Sequence, residues 1–323
     1  MELAAVVMLP TMSEPAAANS NCAERRSFYS SSLPILGNAL LNPWSERVRK
    51  LGVRNLWLTS HSEEDGVLLS GLSRLAKQGI ERLLLIQLKS YAEIDLADLL
   101  RFHRETRSHL TEAHDAKGQL GVSLIDRNDL NGIEKKMDPA FATQQGTPYS
   151  FRGYAKRILS ASERQELVSD GLTGVCAMKP VGTQWTEDVW IGSGASIAET
   201  ARVIGPAYIG ARTVIRSGAT VGPFASIEHG CVVETGVTVE RATVLPRTYL
   251  APGILIRGAV LNGGYLEDLA TAAVVDLRPA RLTRHMERPN ISFLSNSGAD
   301  QLFDFPVSSE SYSSKSWREV KLD

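Results

Sequence analysis

From Ile191 onward an aliphatic residue returns at every sixth position: Ile191, Ile197, Val203, Ile209, Ile215, Val221, Ile227, Val233 and Val239. A second column stands four residues after these anchors, at Ala195, Ala201, Ala207, Thr213, Ala219, Ala225, Cys231 and Val237, and most of its members are small. A helix needs a period near 3.6 and a simple strand a period of 2, so a beat of six fits neither. It fits a short strand, a turn and a repeat, the pattern of a parallel β-helix in which three hexads close one triangular coil. The branched anchor fills the interior, the small residue fits where the chain turns, and coils stack at about 4.8 Å per layer. After Val239 the beat slips by one residue: Leu245 keeps the old register, but Val244, Leu250 and Ile256 continue it better. The solenoid predicted in this way covers residues 188–260, roughly four coils. Gly192, Gly210 and Gly222 directly follow anchors, where a turning coil is expected to need their conformational freedom rather than to bind phosphate.

The first half of the chain has a different rhythm. Apolar runs at 3–9, 53–59, 81–88 and 121–126 read as strands. Helical spacing marks 42–52, with Asn42 as N-cap, Pro43 at the first helical position and Gly52 past the end. It also marks 63–79 and 95–109, the latter capped by Asp95. Alternating strands and helices predict a parallel, three-layer α/β sheet. Residues 131–187 form a connector with a Ser-capped helix near 160–171, and 261–287 can cap the solenoid. Residues 288–323 are polar and read as a flexible tail with a short docking segment at 301–307.

Two stretches resemble sugar-phosphate nucleotidyltransferases, the NDP-sugar pyrophosphorylases. "LPILGNALLNPWSERVRKLGVRNLWLTS" (33–60) is similar to the segment following that family's signature loop, and "EIDLADLLRFHRE" (93–105) to the helix after its metal-binding strand. "ARVIGPAYIGARTVIRSGATVGPFASIEHGCVVETGVTVERATVL" (201–245) resembles the family's β-helix. The resemblance implies a reduced Rossmann-like, GT-A-type domain over 1–130 and a left-handed β-helix over 188–287. It also implies a place in polysaccharide or envelope precursor biosynthesis, with a sugar nucleotide as ligand.

The departures bear on activity. Nucleotidyl transfer needs backbone N–H groups close to a triphosphate, hence glycines, and carboxylates that hold Mg²⁺. Where the family has a GGxGTRL-type loop, this chain has "PTMSEPAAANSNCAERRSFYSSS" (10–32), and its first glycine is Gly37. The family's P-K-P lysine is missing, with Ser32, Leu33 and Pro34 around that place, and the Gly-Asp metal site is replaced by "QLKSYAEID" (87–95). Asp95 matches the helix cap rather than the metal ligand. The reading is therefore a catalytically inactive relative with a regulatory, sugar-nucleotide-binding or scaffolding role.

Two alternatives stay open. One is an active, divergent sugar-1-phosphate nucleotidyltransferase, for which Mg²⁺ would be the cofactor. The other is a hexapeptide acyltransferase using His229, two residues after the anchor Ile227, as general base. Arg25 and Arg26 are weak phosphate candidates in the replaced loop, and His61 a weak ligand candidate at a strand end. His103 and His109 read as surface or packing residues, and Trp190 and Tyr208 as outward-facing aromatics.

Composition narrows the classes. The 323 residues suggest about two domains. With 43% hydrophobic and 22% charged residues and a net charge of −1, a sizeable core is expected and no basic excess serves nucleic acid or an anionic membrane. Cys22, Cys176 and Cys231 show no CxxC spacing, which favours a reducing, cytoplasmic setting without a disulfide frame or zinc site. "MELAAVVMLP" lacks a basic n-region and reads as a buried strand rather than a signal peptide, and no apolar run reaches a membrane span. The flat solenoid face predicts a homo-oligomer or a partner enzyme.

Overall fold

The computed structural model describes residues 3–10, 33–53, 55–61, 75, 79–127, 146–286 and 318–321. The chain divides into two compact units: Met1–Ser13, Leu40–Arg157 and Val307–Asp323 form the first, Glu14–Ala39 and Ile158–Pro306 the second. The predicted helix 63–79, apart from Leu75, and the segment 301–307 lie outside the described residues.

The first unit is built on a seven-stranded sheet. Its strands are β1 (Leu3–Pro10), β2 (Asn55–His61), β3 (Arg82–Gln87), β5 (Leu110–Asp115), β6 (Gly118–Asp126), β7 (Thr147–Ser150) and β26 (Arg318–Lys321), ordered β26-β2-β1-β3-β6-β5-β7. Consecutive residues Ala4, Ala5, Val6, Val7 and Met8 are all buried, so both faces of β1 are covered and its unbroken apolar run is explained. The sheet is mixed, which corrects the all-parallel expectation. β1 pairs in parallel with β2 and β3, but β3 with β6, β5 with β6, and β2 with β26 are antiparallel. The tight turn between Asp115 and Gly118 accounts for the β5–β6 pair, because a hairpin that short can only return the chain antiparallel. A small pair, β4 (Ser90–Ala92) with β8 (Ala155–Arg157), completes the unit.

Two boundaries differ from the sequence reading. β7 and β8 carry the first unit to residue 157 rather than 130, and 318–321 form an edge strand where a flexible tail was expected. Helix α1 (Leu41–Lys50) starts one residue before the predicted Asn42 cap: Leu40 is the N-cap, without a side-chain cap bond, and both Leu40 and Leu41 are buried. Pro43 still falls in the first turn, where a missing N–H costs nothing, and Gly52 follows the C-cap at φ +81°. Helix α2 (Leu96–Glu105) has the predicted Asp95 cap.

The second unit holds stacked parallel strands compatible with a β-helix. Its first coil is β10 (Val189–Ile191), β11 (Ser196–Ile197) and β12 (Arg202–Val203). The second is β13 (Ala207–Ile209), β14 (Val214–Ile215) and β15 (Thr220–Val221). The third is β16 (Ala225–Ile227), β17 (Val232–Val233) and β18 (Thr238–Glu240), and the fourth β19 (Thr243–Val244), β20 (Thr248–Leu250) and β21 (Leu255–Arg257). Each strand pairs with its counterpart one coil on, so that Ile209 faces Ile227 and Ile215 faces Val233. The one-residue slip is real: Ile227 pairs with Val244, Val233 with Leu250 and Val239 with Ile256. The anchors and the small column form one buried core from Ile209 to Leu261. Beyond the fourth coil β22 (Ala259–Asn262) adds one more parallel strand to β19, the chain then turns back antiparallel through β23 (Tyr265–Asp268) and β24 (Val274–Asp276), and β25 (Thr283–His285) closes antiparallel on β20. At the other end β9 (Thr183–Thr186) lies antiparallel to β10.

The glycine expectation needs correction at two of three positions. Gly222 has φ +107°, but Gly192 and Gly210 lack a positive φ. They are required for space, since a Cβ there would meet the backbone of Ala211 and of His229 in the next coil.

Burial along the solenoid sets the energetics. Ile227→Ala, in the closed third coil, is expected to cost about 2–5 kcal/mol in urea unfolding. Ile197→Ala, in the half-open first coil, should cost clearly less; equal costs would contradict the burial gradient.

Candidate functional site

The strands β1, β2 and β3 run in parallel and end at one edge, where ligands of open α/β sheets collect. His61 is the last residue of β2, in register with Pro10, and Met8 pairs with Gln87. Arg25 and Arg26 lie outside the described residues. After β3 the chain folds tightly: Leu88 N–H donates to Met8 O at 3.2 Å and Lys89 N–H to Gln87 O at 2.7 Å. Gly121, at φ +76°, passes so close that a Cβ would lie 2.9 Å from Gln87 O.

Asp95 is the N-cap of α2. Its Oδ1 accepts from Ala97 N–H at 2.9 Å and Asp98 N–H at 3.4 Å. Among the described residues no group of three or more His, Cys, Asp or Glu side chains could hold a metal ion. His103 packs as expected, but within a network that the sequence did not reveal. Its Nδ1 lies 2.7 Å from Thr111 Oγ1 and its Nε2 3.1 Å from Asp126 Oδ1, which also accepts from Arg82 Nε at 2.9 Å. His109 is exposed.

The second unit contains a buried charged cluster. Glu228 follows the anchor Ile227 and is fully buried. Its Oε1 accepts from Leu36 N–H at 2.8 Å and from Ser226 Oγ at 3.2 Å, and its Oε2 from Gly37 N–H at 3.0 Å. Leu36 and Gly37 both have positive φ, +53° and +77°, so their successive N–H groups converge on one anion. Gly37 is required twice over: its φ suits only glycine comfortably, and a Cβ would collide with the Tyr208 hydroxyl.

Arg164 also grips this segment, the strap of residues 33–39. It lies on helix α3 (Ala161–Leu172), is fully buried, and donates to Pro34 O at 3.0 Å. Beside it, Gln165 donates to Phe224 O at 2.9 Å and accepts from Thr243 Oγ1 at 2.6 Å. Tyr208, Ser226, Thr243 and Val260 form one outward column in register, and all are buried under this cover. Tyr208 thus faces outward from the coil, as expected, but is buried beneath this cover rather than exposed.

Burial dominates the electrostatics. It pushes the Glu228 carboxyl up to about 7, against the lowering influence of the Gly37 N–H and the Arg164 charge. It pulls Arg164 down to about 10, which leaves the guanidinium a cation at neutral pH. The Tyr208 phenol is raised by burial and by the charge of Glu228. The cluster can hold a proton near neutrality, but its carboxylate is enclosed and grips its own chain.

His229, the next residue, is half-buried on the turn, and its carbonyl accepts from Arg247 N–H at 3.0 Å. The sequence reading singled out His229 and missed Glu228. The available signal was the column after the anchors, where Gly192 and Gly210 give way to an acid. No protein-family model matches the chain, and no curated protein sequence matches it.

The raised carboxyl has a definite sign in folding. A folded-state pKa above the unfolded 4.5 contributes stability that is complete below about 4.5 and is lost as pH rises to about 7. Unfolding free energy should fall across that window by on the order of 3 kcal/mol from this group. Glu228→Gln should flatten the profile while lowering stability at acidic pH, because an amide cannot accept from both N–H groups. An unchanged slope in the variant would refute the assignment.

Proposed function

We propose that the chain is a nucleotidyltransferase-like protein that binds a sugar nucleotide without turning it over, in a regulatory or scaffolding role in polysaccharide or envelope precursor biosynthesis. The observation carrying this reading is the double employment of Asp95: the aspartate that follows the metal place of the resemblance is committed to two backbone N–H groups of α2. The fate of the first glycine supports it, since the Gly37 N–H is held by Glu228 rather than offered to a phosphate. The α/β unit and the stacked parallel strands are the scaffold such a relative would keep, with a left-handed coil as the family's form. Fold similarity alone carries no activity, so the argument rests on these two sites.

A thermal-shift panel of nucleotides, sugar nucleotides and CoA tests the reading on the full chain. A sugar nucleotide at about a hundred times its Kd should stabilise by about 2.7 kcal/mol, a shift of several degrees. The same protein with nucleoside triphosphate, sugar 1-phosphate and Mg²⁺ should release no pyrophosphate. Release at an enzymatic rate would establish the active alternative, and acyl transfer lost in His229→Ala would establish the other. Asp95→Ala should cost about 1 kcal/mol as a lost helix cap, and ligand binding should be insensitive to Mg²⁺ in the wild type and the variant alike. Loss of a Mg²⁺-dependent shift in that variant would return Asp95 to the metal role.

A further inference from the structure

The two ends of the solenoid are finished differently. At the far end β23 and β24 turn back antiparallel on β22 and β25 pairs antiparallel with β20, and Leu261 is fully buried. At the near end only one sheet carries an added strand, β9, and the other two stop at β11 and β12 of the first coil, whereas at the far end only the third sheet stops on a coil strand, β21, among the described residues. The interior shows the same asymmetry. Ile191, Ile197 and Val203 of the first coil are half-buried, whereas Ile209, Ile215 and Val221, one coil on, are sealed.

Around this end the chain exposes large apolar side chains. Trp185 on β9 is 59% exposed, Ile204 after β12 is 45% and Val181 before β9 is 42%. β9, sequence TQWT, has every residue exposed and no charge of its own. An open edge strand without lysine, proline or an inward charge lacks the devices that keep sheet edges apart.

We propose that this end is an interface at which a second copy of the chain docks end to end, covering the first coil with Trp185 as its anchor. A second copy is the occupant that the edge chemistry selects. An antiparallel pair satisfies both strands' donors and acceptors, and like ends meeting about a two-fold axis close into a dimer rather than an open fibre. The interior offered by each copy is the same triangle of aliphatic side chains, so each partly open coil finds a match in size and polarity. The exposed charges beside the end carry both signs, Glu199 with Arg202 on one corner, so like copies are not held apart. Trp is the residue most enriched among interface hot spots. This inference is independent of the nucleotide reading.

Sedimentation velocity on the full chain over a concentration series tests it. The wild type should sediment as a dimer at micromolar concentration. Trp185→Lys should weaken association by at least about 30-fold, with circular dichroism unchanged because the side chain stands in solvent. Leu255→Lys, an exposed apolar site on the fourth coil, should leave the dimer intact. A monomeric wild type overturns the proposal, whether or not hydrogen exchange then finds β9–β12 protected by the chain's own residues. So does a Trp185→Lys variant that still dimerises.

Discussion

The second unit depends on how it deals with one buried carboxylate. An ionised side chain in an apolar interior costs several kcal/mol unless its oxygens are matched. Glu228 is matched by two consecutive N–H groups, a serine hydroxyl and a nearby guanidinium. The requirement runs in both directions. Without the carboxylate, the Leu36 and Gly37 N–H groups would be stranded in the interior, and without the strap Glu228 would be a naked charge. Residues 33–39 are thereby held in the second unit although in sequence they directly precede a helix of the first. Replacement of such a cluster by apolar residues of similar volume can be neutral for stability, so its value lies in specifying one docked geometry for the strap.

The same physical logic accounts for the face that the strap covers. The outward column Tyr208, Ser226, Thr243 and Val260 would be solvated on an isolated solenoid. Here it lies under α3 and the strap, and each polar member needs a partner. Thr243 finds Gln165 and Ser226 finds Glu228, while Val260 joins Ala161 and Leu245 in an apolar cluster. One face of the coil is thus converted from surface to core.

The solenoid was legible because its pattern is redundant. Nine anchors repeat one local constraint, and even the slip after Val239 could be seen in the spacing. Asp95 and Ser160 were legible as caps because capping is a contact over two or three residues. The clasp was not legible, since Leu36 and Glu228 are 192 residues apart and nothing local pairs them. Arg164 and Gln165 occupy helix positions in line with Ala161 and Val168, on the buried face where apolar residues are the default, so binary patterning misassigns them. The mixed sheet was missed for a related reason: apolar runs reveal strands, but their direction is set by the turns between them.

The strand 318–321 has a bearing on how the protein is made. It lies beside β2 in the first unit's sheet, yet in chain order it follows the whole solenoid. During synthesis β2 must therefore wait, its outer row of amides unmatched, until the ribosome has finished the coils. An apolar strand left open for that time is a template for the wrong neighbour. The order of translation thus leaves the outer side of β2 without its native neighbour until the last of the chain has been made.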